Sequence, residues 1–190
     1  MRQLHRKESG RRVKTVIALS GMPGAGKSLA ARLAQEDLVP VFVSGDMIRL
    51  EAKNRGLKPT RTNLGRIMLD IRKKEGMGAV ARRVKPLIDS SKTVLVLYEG
   101  PRSMEELEEL AKNYSVVSVA IHSSPETRYK RLVRRKRSDQ PRSWSQFLER
   151  DERELSVGLG HVLAYADRMI ENAGTKDELR RQLRRVFKEI

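Results

Sequence analysis

The sequence predicts an α/β protein built on an open parallel sheet, and three observations carry that reading. Short apolar, β-branched runs recur along the chain, as strands buried on both faces require. Amphipathic helical patterns separate them. The first run, Thr15-Val16-Ile17-Ala18-Leu19-Ser20, leads into Gly21-Met22-Pro23-Gly24-Ala25-Gly26-Lys27-Ser28, which fits G-x-x-x-x-G-K-[ST] and passes at once into the helical spacing of Leu29, Ala30, Leu33 and Ala34. The glycines let the backbone turn its N–H groups inward as a nest for phosphate oxygens. Lys27 supplies a mobile charge for the β- and γ-phosphates, and the Ser28 hydroxyl is placed for Mg²⁺ at a helix N-terminus. These residues imply ATP and Mg²⁺ as cofactors.

Composition narrows the class. The chain of 190 residues has enough apolar content for one core, so residues 15–190 are expected as a single domain behind a basic leader, 1–14. No apolar stretch approaches the ~20 residues of a membrane span, and no signal sequence is seen, so a cytoplasmic protein that does not meet membranes is expected, as a monomer or small homo-oligomer. With no cysteine, thiol catalysis and disulfides are excluded, and His5, His122 and His161 are too far apart in sequence to suggest a metal cluster. The net charge of +16 is more than a bound nucleotide uses. Its excess lies in the leader, in the run Arg128 to Arg137, and in Arg180, Arg181, Arg184, Arg185 and Lys188 near the end. RNA is one partner that the leader and last helix could serve; solvated charge on a highly charged protein is the other reading.

In chain order, Leu38 to Val43 reads as a second strand, with Pro40 near its start. Helical patterns follow on Met47, Ile48, Leu50 and Ala52, on Leu64, Ile67, Met68 and Ile71, and on Val80, Val84, Leu87 and Ile88, the last expected to bend or end at Pro86. These helices, about 46–90, fall where an acceptor-binding region would sit. Thr93 to Leu97 is the third strand and delivers Glu99 to the carboxyl end of the sheet, where ligands bind and where a carboxylate can reach Mg²⁺ or its water shell. Ser103 and Glu106 form a capping box for the next helix. After a fourth strand, Val116 to Ile121, Ser124-Pro125 opens a helix on which Arg131 and Arg135 share a face. Lys136 to Arg142 is a polar break, and Ser143 opens a helix with Phe147, Leu148, Arg150 and Arg153. The pattern suggests a short lid at about 136–143 that folds arginines over phosphates; the competing reading is a nucleic-acid patch, for which Tyr129 and the distant Trp144 offer little base stacking. Met169 to Asn172 is a short last strand, Thr175 and Glu178 cap the terminal helix, and Gly158-Leu159-Gly160 reads as a turn.

At Ser44-Gly45-Asp46-Met47-Ile48-Arg49 the sequence resembles adenylate kinase and its relatives, where a similar segment binds the acceptor nucleotide. Glu99-Gly100-Pro101-Arg102 resembles that family's Asp-Gly-Phe-Pro-Arg, with Glu for Asp and no Phe, and Arg131 to Arg135 and Arg150-Asp151 resemble the segments flanking its lid. From Thr15 to Ile190 the chain is similar to an archaeal P-loop family related to adenylate kinase and dephospho-CoA kinase. The resemblance implies a three-layer P-loop kinase fold with a five-stranded parallel sheet, and an ATP-dependent kinase acting on a nucleoside monophosphate or dephospho-CoA type of acceptor. It also implies the roles. Gly21 to Leu29 would hold the donor, with Asn172 bordering its base; Ser28 and Glu99 would hold Mg²⁺. Arg49 and Arg102 would bind the acceptor, and Arg131, Arg135 and Arg150 would clamp the migrating phosphoryl. Asp46, in the acceptor-binding segment, would position the helix and a Mg²⁺ water for a phosphate acceptor, or serve as general base if the acceptor is a hydroxyl. Adenylate-kinase-like ribosome-assembly factors suggest the alternative, an ATPase acting on RNA or ribonucleoprotein.

Overall fold

The structure is a computed structural model, and it describes residues 13–135 and 140–190. Residues 1–12 of the leader and 136–139 of the expected lid lie outside the described residues. The elements run β1 (Thr15–Ser20), α1 (Lys27–Glu36), β2 (Val41–Val43), α2 (Ser44–Asn54), α3 (Arg61–Glu75), α4 (Ala79–Ser90), β3 (Leu95–Glu99), α5 (Met104–Ala111), β4 (Ser115–His122), α6 (Pro125–Arg134), α7 (Trp144–Ser156), α8 (Leu159–Ala164), β5 (Arg168–Glu171) and α9 (Lys176–Lys188).

Five strands form one sheet in the order β2-β3-β1-β4-β5, with every pairing parallel. The apolar runs explain the layering. One face of the sheet, with Ile17, Leu19, Val119 and Ile170, packs on α1 and α9; the other, with Val16, Val96 and Tyr98, packs on α4 and α5, and Ala18 meets Leu159 and Val162 of α8. Both faces being covered is why the strands read as continuous apolar runs. A separate apolar cluster joins α2, α3 and the start of α4 through Ile48, Ala52, Ile67, Ile71 and Val80.

Several boundaries differ from the sequence expectation, each for a physical reason. The second strand starts at Val41, because Leu38 has a left-handed backbone (φ 62°) in the turn that ends α1. Pro86 does not end the helix at its position: α4 continues to Ser90. Pro86 and Arg82, whose carbonyl loses its helical donor, both lie on the exposed side, where water can replace that bond. The third strand runs on to Glu99, paired with Leu19. The turn expected at Gly158-Leu159-Gly160 instead opens a short helix, α8, with Gly158 as its left-handed cap. The Ser103 capping box is half made: Ser103 accepts from the Glu106 N–H, but the Glu106 side chain turns inward to Arg72 and Tyr98. Thr175 and Glu178 form the complete box at α9. Tyr129 and Trp144, expected far apart, meet edge-on with ring centroids 5.3 Å apart, and Phe147 packs on both. These rings tie α6 to α7 on either side of residues 136–139.

Candidate active site

The register of the sheet builds the site. Pairing β1 with β3 sets Glu99 beside Leu19, so the carboxylate emerges next to the point where β1 gives way to the glycine-rich loop. There the Ser28 hydroxyl donates to Glu99 Oε1 across 3.2 Å. Two hard oxygen donors at a helix N-terminus suit Mg²⁺, which is commonly held by few protein oxygens together with phosphate and water. Among the described residues no cluster of three or more His, Cys, Asp or Glu could hold a metal by itself, so a metal here would share its coordination with a phosphate ligand.

The loop is held from behind. Gly24 and Gly26 have φ of +83° and +114°, and a Cβ at either position would collide with Arg128 O (2.7 Å) or Asn172 Nδ2 (2.1 Å). Glycine is therefore needed for close approach as well as for backbone conformation. Asn172 donates to the Ala25 carbonyl at 2.8 Å. Arg131 donates to Ser123 Oγ at 2.9 Å and to the Asn172 carbonyl at 2.9 Å. Arg128 is buried, bonds the Pro23 carbonyl at 3.2 Å, forks onto Asp151 of α7 at 2.9 and 2.6 Å, and lies 4.9 Å over the Phe147 ring. Neither Arg128 nor Asp151 was singled out from the sequence as a partner of the loop; a contact across 23 residues leaves no local pattern.

In front of the loop lies a cavity of about 180 Å³. Gly21, Pro23, Gly24, Lys27 and Ser28 form its floor, Glu99 to Arg102 one wall, and Arg135, Arg150 and Glu154 the other. Lys27 Nζ donates to the carbonyls of Gly21 (2.5 Å) and Met22 (3.3 Å). Burial, and then the positive charge of Arg102, pulls the Lys27 ammonium down to about 8. Arg102 Nε is 2.9 Å from Glu154 Oε2, and its Nη1 lies 3.0 Å from Met68 Sδ on α3. Glu154 was not identified from the sequence. Its signal was its position four residues after Arg150, on the same face of α7.

The structure thus gathers Lys27, Ser28, Glu99, Arg102, Arg135 and Arg150 around one cavity. It leaves the other candidates, Gly26 and Asn172 among them, outside the lining. Asp46 and Arg49, in the first turns of α2, are exposed and bonded to each other. Arg131 stands behind the loop, on the Asn172 side. Met22 and Ala25 face a much smaller cavity beneath the loop, and Leu29 packs against the α1 core. Of the basic helix α9, Arg180 pairs with Glu36, and Arg184 forks onto Asp37 at 2.7 and 2.8 Å. That neutralises part of the charge expected to face RNA.

The sheet order, the loop after the central strand and a cavity at the carboxyl ends of β1 and β3 define the class: a P-loop kinase-like α/β fold. Residues 20–147 match the family model described as an AAA domain. The chain belongs to the UPF0200 family: it is 41% identical over 182 residues to a UPF0200 protein of Pyrococcus abyssi, covering 92% of this chain and 96% of that one. Among solved structures, TT1252 from Thermus thermophilus is similar with a TM-score of 0.68 at 21% identity, covering 94% of this chain and 98% of that one. Shikimate kinase from Acinetobacter baumannii, solved with shikimate, gives 0.55 at 18% identity over 93% and 92%. Among the described residues no helix is long and apolar enough to cross a membrane.

Proposed function

We propose that this protein is an ATP-dependent kinase of the cytoplasm that transfers the γ-phosphoryl group to a small nucleotide or nucleotide-like acceptor, of the nucleoside monophosphate or dephospho-CoA class. The observation that carries the reading is the single cavity in which the loop lysine, the Ser28–Glu99 pair and arginines from three separate segments converge. A phosphoryl transfer asks for little covalent chemistry from the protein and much positioning and charge stabilisation, and this cavity is equipped for that task. The P–O bond to the ADP leaving group breaks as a bond to the acceptor oxygen forms.

In this reading Lys27 releases the Gly21 and Met22 carbonyls to take the donor phosphates, and the loop N–H groups hold them. Ser28 and Glu99 would hold Mg²⁺, which would supply charge to offset that of those phosphates. Arg135 and Arg150 spread over the equatorial oxygens of the migrating group, and Arg102 takes the acceptor anion, with Arg49 joining when it leaves Asp46. Arg131 holds the loop and the Asn172 segment in place, and would reach the phosphoryl by leaving the Ser123 hydroxyl and the Asn172 carbonyl. A phosphate acceptor needs no base; for a hydroxyl acceptor Asp46, freed from Arg49, would take the proton.

The test is ADP release from Mg²⁺-ATP by purified protein, alone and with a panel of nucleoside monophosphates, dephospho-CoA and structured RNA. Strong stimulation by one small molecule is the expected result. The second reading, an ATPase acting on RNA or ribonucleoprotein, draws support from the net charge of +16. It predicts stimulation by RNA alone, lost steeply as salt is raised to about 0.3 M.

A further inference from the structure

Among the residues lining the cavity, two are carboxylates. Glu99 is engaged by Ser28, whereas Glu154 pairs with Arg102. It projects from α7 one helical turn beyond Arg150 and meets Arg102 Nε at 2.9 Å, in a pocket otherwise rich in cations that include Lys27. We propose that Glu154 is an internal stand-in for the acceptor's oxyanion. In the free protein it occupies Arg102, and an arriving phosphate exchanges with it.

Three features support the exchange. Glu154 takes one of the nitrogens on which a forked guanidinium–oxyanion contact depends, so the same Arg102 cannot serve both partners fully. The pair is part-exposed, with side chains 32% and 20% accessible, and an ion pair so placed contributes little net stability. A phosphate that also gathers charge from the other cavity cations can therefore displace it. Finally, the pair joins two different segments, the loop after β3 and helix α7, and α7 also carries Arg150 and Asp151. Exchange on Arg102 unties the loop from α7, and the Glu154 carboxylate is then repelled by the bound anion. Arrival of the acceptor is in this way coupled to the placement of Arg150. No covalent step is involved.

This inference rests on the kinase reading for the identity of the acceptor, but its test does not need turnover. The full chain is saturated with Mg²⁺-ADP to fill the loop, and inorganic phosphate is titrated in while the Arg102 Nε–H resonance is followed by NMR. Glu154→Gln keeps the shape and removes the charge that holds Arg102. If the occupied form dominates about ten to one, its loss should tighten phosphate binding about tenfold. Glu152→Gln removes an equal charge from an exposed position on the same helix and should leave the affinity at the wild-type value. In the wild-type protein, phosphate should move the Arg102 resonance to the position it takes in phosphate-saturated Glu154→Gln. The proposal is overturned by equal phosphate affinity in wild type and Glu154→Gln, by an equal gain in Glu152→Gln, or by phosphate binding that leaves Arg102 unmoved. Failure of the kinase reading would show separately, as tight phosphate exchange on Arg102 with no phosphorylated product from any acceptor.

Discussion

Ser28 and Glu99, 71 positions apart in the sequence, are joined by a hydrogen bond of 3.2 Å between the first turn of α1 and the last residue of β3. The bond exists because β1 and β3 are parallel neighbours in one fixed register. If the pair holds Mg²⁺ for phosphoryl transfer, Glu99→Gln should lower kcat by about 100-fold or more and raise the Mg²⁺ concentration needed for half-maximal rate. Ser28→Ala should act in the same direction, and the double variant should lose little beyond the worse single one. A Mg²⁺ titration of turnover in all four proteins checks this.

Lys27 gives a pH dependence with a definite sign. Its ammonium ordinarily titrates at 10.5 and is pulled down to about 8 by burial first. Bound phosphates favour the charged form, so binding takes up a proton above about pH 8. Affinity for Mg²⁺-ADP should be flat below that pH and fall by up to about tenfold per pH unit above it. Lys27→Arg should flatten the slope. For folding, the native state binds fewer protons than the unfolded chain between about 8 and 10.5. This group therefore costs stability in full below about 8, and the cost fades as pH rises through that window.

The buried pair of Arg128 and Asp151 should matter for stability more than any exposed ion pair of the molecule. Asp151→Ala leaves a buried guanidinium without its carboxylate and should cost about 3–5 kcal/mol, read by denaturant unfolding. The same change should weaken nucleotide binding in the protein that remains folded, because Arg128 also holds the Pro23 carbonyl of the loop.

Gly26 and Asn172 allow a double-mutant test of how the loop is packed. Gly26→Ala places a Cβ 2.1 Å from Asn172 Nδ2 on a backbone at φ +114°, and both faults act on the residue that opens α1. Adding Asn172→Ala removes the clash but not the backbone strain, roughly 1–3 kcal/mol for a residue so placed. The double variant should therefore recover part, but not all, of the lost Mg²⁺-ADP affinity.

What the sequence made legible follows from the range of the interactions. The strands were readable because covered faces demand unbroken apolar runs, and the loop because phosphate contact demands small residues at fixed spacing. Caps such as Ser124, Ser143 and Thr175 were readable for the same local reason. Positions decided by distant partners were not. Glu106 satisfies the local capping pattern, yet Arg72 on α3 and Tyr98 on β3 draw its side chain into the core. Arg131 lies on the expected helix, but Ser123 and Asn172 hold it behind the loop. Leu38 looks like part of a strand until its turn conformation is seen, and Glu154 looks like ordinary helix charge until Arg102 is found opposite it.

The most direct measurement follows the γ-phosphoryl group itself. With γ-labelled ATP, Mg²⁺ and each acceptor of the panel, the label is partitioned between inorganic phosphate and an organic product identified by mass. The kinase reading predicts that one small acceptor takes most of the label, and that Lys27→Ala abolishes its transfer. Label released only as inorganic phosphate with every acceptor, or released faster only when RNA is added, would contradict it.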